Sequence, residues 1–167
     1  FAQSTFGKKG TGLGEFDGIG NLVIKGDHLY IDTAEFGLRG GGLFPHIINE
    51  RIQVLKINPD GNLSVQSTLG KKGKGLGSFD GITDLLIKGD YLYVAEATSD
   101  LNMKEGNHRI QVFKINPNGN ISPRFTLGKE GKRLGEFYSP RLLAIKENWL
   151  YISDTGNNRI QILEIKY

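Results

Sequence analysis

The sequence predicts an all-β protein of three four-stranded repeats, and three observations carry that prediction. First, Thr5-Phe6-Gly7-Lys8-Lys9-Gly10-Thr11-Gly12-Leu13-Gly14-Glu15-Phe16 recurs in register at 68–79 and again at 126–137. Second, Arg51-Ile52-Gln53 recurs as Arg109-Ile110-Gln111 and Arg159-Ile160-Gln161, with a Leu-Tyr pair at identical offsets between the two blocks (Leu29-Tyr30, Leu92-Tyr93, Leu150-Tyr151). Third, glycine is abundant (24 residues against 5 prolines) and is spaced among Ile, Leu, Val, Phe and Tyr. That spacing describes short strands joined by tight turns, with no helical period.

Each repeat divides into four strands. The first covers residues 21–24, 84–87 and 142–145. A Lys25-Gly26-Asp27 turn, repeated at Lys88-Gly89-Asp90 and as Lys146-Glu147-Asn148, leads into a second strand around the Leu-Tyr pair. The third is the Arg-Ile-Gln segment. It ends at Asn58-Pro59-Asp60-Gly61 and Asn116-Pro117-Asn118-Gly119, where Pro followed by Asp-Gly or Asn-Gly supplies hairpin geometry. The fourth covers 63–69 and 121–127. Apolar residues on both faces of the third strand imply sheets stacked on both sides. Four-stranded meanders repeated at this interval are the sequence pattern of β-propeller blades.

The chain resembles the NHL family. Leu134-Gly135-Glu136-Phe137, followed by Ser153-Asp154-Thr155-Gly156-Asn157-Asn158-Arg159-Ile160-Gln161, matches its Gly-rich lead, its Tyr-hydrophobic-x-Asp strand and its Asn-x-Arg-Ile-Gln strand. Asn107-His108-Arg109-Ile110-Gln111 matches as well. The likeness runs over residues 1–167 as a single segment, with repeats at 5–67, 68–125 and 126–167. It departs at Thr33, where the other repeats carry Glu96 and Asp154, and at Ser139-Pro140-Arg141, all that remains of a Pro-x-Gly lead.

The resemblance implies about six blades, and propellers close with roughly 4–8. Three blades make half of such a ring. Residues 1–6 align with the fourth strand and are expected to act as a closing strand. A second copy, or blades missing from this sequence, would then complete a six-bladed ring, and twofold symmetry would make a homodimer. Uncovered blade faces and strand edges otherwise favour aggregation. The expected role is therefore a non-enzymatic protein-interaction or assembly module.

Charge suggests an alternative. The net charge is +3, and Lys8, Lys9, Lys71, Lys72, Lys74, Lys129, Lys132 and Arg133 fall in the Gly-rich loops, which converge on one face with the second-to-third-strand connections. Ammonium groups and open backbone N–H groups there suit a polyanion, RNA or an acidic glycan. The simpler reading is solvated lysines diluted by Glu15, Glu130 and Glu136. The second-to-third connection is longest in the first repeat, where Phe36, Leu38, Arg39, Leu43, Phe44, Pro45, Ile47 and Ile48 form an apolar insertion. It reads equally as a partner-binding loop, with Arg39 and Phe44 as candidate contacts, or as packing against a neighbour. Residues 98–106 read as an exposed loop. Arg51, Arg109 and Arg159, with Glu96 and Asp154, read as structural inter-blade ion pairs.

Some relatives of this fold are metal-dependent lyases or lactonases, which need converging His or carboxylate ligands. His28, His46 and His108 fall at unrelated repeat positions and do not converge. Asp17, Asp80 and Tyr138 share one loop position; a Ca²⁺ site there is possible on ligand type, and turn capping is the simpler role. No catalytic residue, metal or cofactor is assigned. Cysteine is absent, which removes disulfides and thiolate metal sites. No stretch is apolar for the ~18–20 residues of a membrane span. Phe1-Ala2 before Gln3 leans toward the remnant of a signal-peptidase site and a secreted or extracytoplasmic chain.

Overall fold

A computed structural model describes residues 3–38, 45–98 and 106–166. The chain folds as β1 (Lys8–Lys9), β2 (Glu15–Phe16), β3 (Gly18–Lys25), β4 (His28–Leu38), β5 (Pro45–Ile57), β6 (Leu63–Leu69), β7 (Ile82–Lys88), β8 (Tyr91–Thr98), β9 (Gly106–Ile115), β10 (Ile121–Leu127), β11 (Pro140–Lys146), β12 (Trp149–Asp154), a 3₁₀ turn (Thr155–Asn157) and β13 (Arg159–Glu164). Among the described residues there is no α-helix. Two sheets are four-stranded antiparallel meanders, β3-β4-β5-β6 and β7-β8-β9-β10; a third is β11-β12-β13. These are sheets of the kind that make propeller blades.

The turns follow from their sequences. Gly61 at φ 82 and Gly119 at φ 83 close the third-to-fourth hairpins. Each donates its N–H to the carbonyl of Asn58 or Asn116 at 2.8 Å. Only glycine adopts that left-handed backbone without a steric penalty. The Gly-rich leads fold back so that a phenylalanine tucks under the loop: Phe79 and Phe137 are fully buried. A Cβ on Gly70 or Gly128 would lie 2.3 Å from the ring of Phe79 or Phe137. The glycines at those two positions are therefore required by close approach as well as by φ.

The sheets stack face to face. β7 lies against both β3 and β11, and polar bonds join these first strands. Asn21 donates to the Thr83 carbonyl at 3.2 Å, Thr83 Oγ1 to the Pro140 carbonyl at 2.9 Å, and Leu143 N–H to Asp84 Oδ2 at 2.7 Å. Tyr30, Ile52 and Val54 of the first sheet bury against Leu85, Leu92, Val94 and Phe113 of the second and Phe79 of its lead. Tyr93, Ala95, Ile110 and Val112 do the same against Leu143, Leu150 and Ile152 of the third and Phe137 of its lead. Every sheet thus has a front face (the Tyr, Ile, Val set) and a back face (the Leu set). The front of one packs on the back of the next.

One expectation differs from the fold. The insertion of the first repeat does not begin as a loop: β4 and β5 extend as a paired hairpin through Glu35↔Asn49, Phe36↔Ile47, Gly37↔His46 and Leu38↔Pro45. Once two strands are in register, further pairing satisfies backbone groups that a loop would leave to water. Residues 3–6 belong to no sheet in this chain; they lie beside the first sheet, with the Phe6 ring centroid 6.4 Å from that of Phe16. Arg39, Phe44, Phe1 and Ala2, and the side chains of the insertion's other apolar residues, lie outside the described residues, as does most of 98–106.

Candidate interaction surfaces

The repeated Arg and Gln form a clamp within each sheet. Arg109 Nε donates to Glu96 Oε2 at 2.8 Å, while its terminal nitrogens donate to the carbonyls of Lys74 (2.6 Å), Gly75 (3.0 Å) and Ser78 (3.0 Å). Arg159 repeats the pattern with Asp154 Oδ2 at 2.7 Å and the carbonyls of Arg133 (2.7 Å) and Glu136 (3.0 Å). Two residues along, Gln111 accepts from Gly77 N–H and donates to the Ser78 carbonyl and to Glu96, all at 2.8 Å. Gln161 does the same with Gly135 N–H, the Glu136 carbonyl and Asp154. The ion pairs therefore join adjacent strands of one sheet and fasten its own Gly-rich lead, rather than bridging two blades. Arg51, with Thr33 in the acidic position, bonds to the carbonyls of Gly12 (2.9 Å) and Glu15 (3.5 Å) and makes no ion pair among the described residues.

The acids of the clamp differ in environment. Burial alone would raise Asp154. The donors Tyr138 N–H, Asn157, Arg159 and Gln161 outweigh it and hold the carboxyl below its usual range. Asn107 and Asn157 also donate to the carbonyls of Gly73 and Gly131, both at 2.9 Å. This contact puts the second-to-third connections and the Gly-rich loops at the same end of the sheets.

Further contacts between sheets come from the residue just before Arg51 and Arg109, a position that sequence analysis had examined only for its histidine. Glu50 accepts from Gly81 N–H at 2.6 Å and Ile82 N–H at 3.1 Å at the entry to β7. Burial, reinforced by the nearby Asp80 and Glu96 carboxylates, pushes its pKa up to about 7. His108 Nδ1 accepts from Ser139 N–H at 3.0 Å at the entry to β11, and its ring stacks on Tyr138. Burial lowers the His108 pKa, against the pull of the Glu130 and Asp80 carboxylates. The accepting nitrogen belongs to the neutral imidazole. Asn158, in the same position of the third repeat, is exposed and has left-handed φ. A buried polar side chain flanking a clamped arginine was the only sequence signal available.

Four of the candidate lysines pair with carboxylates of their own loops: Lys8 with Glu15 (3.1 Å), Lys9 with Asp17 (3.7 Å), Lys72 with Asp80 (3.3 Å) and Lys129 with Glu136 (3.6 Å). Glu15 and Glu136 are held below the usual carboxyl range. For Glu15 the leading cause is the Gly12 N–H, and for Glu136 the Arg133 N–H, each helped by its lysine. Lys71, Lys74, Lys132 and Arg133 are exposed and make no ion pair among the described residues. The loop position of Asp17 and Asp80 is thus occupied by salt bridges. Among the described residues no group of three or more His, Asp or Glu side chains is placed to hold a metal ion. His28 contacts Asp27 and Gln66, far in sequence and placement from His108. Among the described residues no helix is long and apolar enough to cross a membrane.

The largest discontinuity is on the two outer sheet faces. Ile52, Val54 and Ile110 are 0% exposed and Val112 1%, each covered by the next sheet. Their counterparts on the third sheet, Ile160 and Ile162, are 69% and 54% exposed. On the back of the first sheet, Leu22 is 58% exposed, whereas its counterparts Leu85 and Leu143 are 4% and 8%. Ile19 and Ile24 are exposed beside it. The chain thus presents one open front face and one open back face, the two halves of an interface that it makes internally twice.

A family model described as the LVIVD repeat matches residues 82–102, which include β7 and β8. This is a repeat of β-propeller type, and with the antiparallel sheets it fits a repeat β-propeller family. No curated protein matches the chain.

Proposed function

We propose that this chain is a non-enzymatic assembly module of NHL type, whose three blade-like sheets join those of a second copy in a six-bladed ring. The observation that carries this reading is the contrast between Ile160 and Ile162, which are exposed, and Ile52, Val54, Ile110 and Val112, which are buried. Apolar side chains contribute roughly 1.5–3 kcal/mol each when taken fully out of water, so an open front face and an open back face favour each other's company. Because both faces belong to one chain, two copies related by a twofold axis satisfy both at once, with no free face left.

Light scattering after size exclusion tests the reading. The expected mass is twice 18.4 kDa, falling to the single-chain value when Ile160→Asp and Ile162→Asp are combined. A wild-type chain that stays at 18.4 kDa across the micromolar range overturns it. The polyanion reading rests on Lys71, Lys74, Lys132 and Arg133, since their neighbours are neutralised within the loops. Salt-dependent retention on heparin that Lys71→Glu and Lys74→Glu together abolish would favour it.

A further inference from the structure

We propose that residues 3–6 of one copy form the fourth strand on β13 of a second copy, antiparallel, with Phe6 opposite Ile160, Thr5 opposite Gln161 and Ser4 opposite Ile162. This rests on the self-association proposed above and specifies its contact.

The register comes from the two complete sheets. In the first, Ile52 pairs with Leu69, Gln53 with Thr68 and Val54 with Ser67. In the second, Ile110 pairs with Leu127, Gln111 with Thr126 and Val112 with Phe125. Both pairings then break for a bulge, at Gln66 in one and Arg124 in the other. Thr5-Phe6-Gly7-Lys8 corresponds to Thr68-Leu69-Gly70-Lys71 and to Thr126-Leu127-Gly128-Lys129. Gln3 falls where the bulge residue stands.

On the third sheet, β13 pairs with β12 alone among the described residues, leaving its other edge open. The space beside that edge is open too. In the first two repeats the turn glycine of the lead is crowded by a fourth-strand side chain. A Cβ on Gly14 would meet Val65 at 2.6 Å, and one on Gly77 would meet Pro123 at 3.0 Å. Around Gly135 there is nothing within 4 Å. Leu134 beside it is 87% exposed, against 45% for Leu13 and 47% for Leu76.

The donor segment already sits where such a strand belongs. Leu69 packs into the cluster around Phe79, and Leu127 into the cluster around Phe137. Phe6 occupies the corresponding place against Phe16 on the back of the first sheet, and residues 4–6 line one cavity with Ile24, Leu29 and Ile57. It is a fourth strand resting on the back of the following sheet, without the third strand that should pair with it. The front-to-back contact of two copies would bring β13 of the partner alongside. An extended segment adding to an open sheet edge gains main-chain hydrogen bonds that fix its register.

Engineered cysteines test the contact, since the sequence has none. Directly opposed residues of an antiparallel pair lie ~4.5–5.5 Å apart at Cα, within disulfide reach. Under mild oxidation, chains of residues 1–167 carrying Ser4→Cys and Ile162→Cys should become covalent dimers on a denaturing, non-reducing gel, whereas Ser4→Cys with Ile160→Cys, off by two residues, should cross-link at least tenfold more slowly. If the wild type is dimeric and the in-register pair cross-links no faster than the off-register pair, the strand exchange is overturned while the ring reading stands. A monomeric wild type overturns both. A disulfide that forms within a single chain also overturns the exchange. Deleting residues 1–6 provides a second measurement: the dimer should dissociate at least tenfold more readily, and an unchanged dimer refutes the proposal.

Discussion

Replacing Arg109 with methionine keeps most of the side-chain volume but removes the cation facing Glu96, a carboxylate with no exposed surface. The salt bridge at 2.8 Å and the bonds to the carbonyls of Lys74, Gly75 and Ser78 are lost together. Removing one partner of a buried ion pair costs ~3–5 kcal/mol, because the remaining charge stays buried. Glu96 keeps donors from Asn107 (2.7 Å), Gln111 (2.8 Å) and Asp80 N–H (2.9 Å), so the expected loss is near the lower end, about 3 kcal/mol. Arg51→Met is the internal control. Arg51 faces Thr33 and among the described residues makes two carbonyl bonds, one of them long, so its loss should be about 1 kcal/mol. Equilibrium unfolding in urea at fixed protein concentration reads the difference, against a total stability on the order of 5–15 kcal/mol. Combining Arg109→Met with Glu96→Gln should recover more than half of the loss, since the stranded charge is gone. Equal effects at Arg109 and Arg51, or no recovery in the double variant, would refute the clamp as described.

Two further outcomes follow from the same geometry. Gly70→Ala should cost at least about 2 kcal/mol in the same unfolding assay, because its Cβ would strike the buried Phe79 ring at 2.3 Å and φ is +109. Gly89→Ala, with φ +56 and open space, should cost only ~1 kcal/mol. Glu50, pushed up to about 7 from an ordinary carboxyl value of 4.5, binds its proton more tightly in the folded state. Stability should therefore fall as pH rises from about 4.5 to about 7, by roughly 3 kcal/mol for this group. Burial of Asp32, raised to about 6, adds a slope of the same sign. Glu50→Gln should flatten the profile in that window; an unchanged slope between pH 4.5 and 7 would show that Glu50 is not the titrating group.

Strand identity was legible because it depends on residues close in sequence. β6 and β10 take the bounds that the Asn-Pro turns and the apolar alternation predict, and Gly61 and Gly119 stand at the turn positions their sequence announces. The insertion was misread because a chain segment rich in Gly and aromatics does not reveal whether its two ends will stay in register. That depends on β4 and β5 already being paired. The arginines could be flagged by repetition. Whether they bridge blades or clamp loops depended on which carbonyls of the Gly-rich lead turn inward, which no local pattern records.

The lysine-rich loops show the same limit. Eight basic side chains looked like one anion-binding face, yet backbone folding brings Glu15, Asp17, Asp80 and Glu136 within ion-pair distance of four of them. The sequence by itself determined a repeated pattern of short strands, the turns between them and the all-β class, because hydrophobic period and turn chemistry act over a few residues. Only the tertiary structure decided that Glu50 and His108 join the sheets, that half of the basic side chains of the loops are paired, and that Ile160 and Ile162 are left bare while their counterparts are buried. Burial and pairing depend on which distant residues arrive nearby, and stacking the sheets is what brings them there.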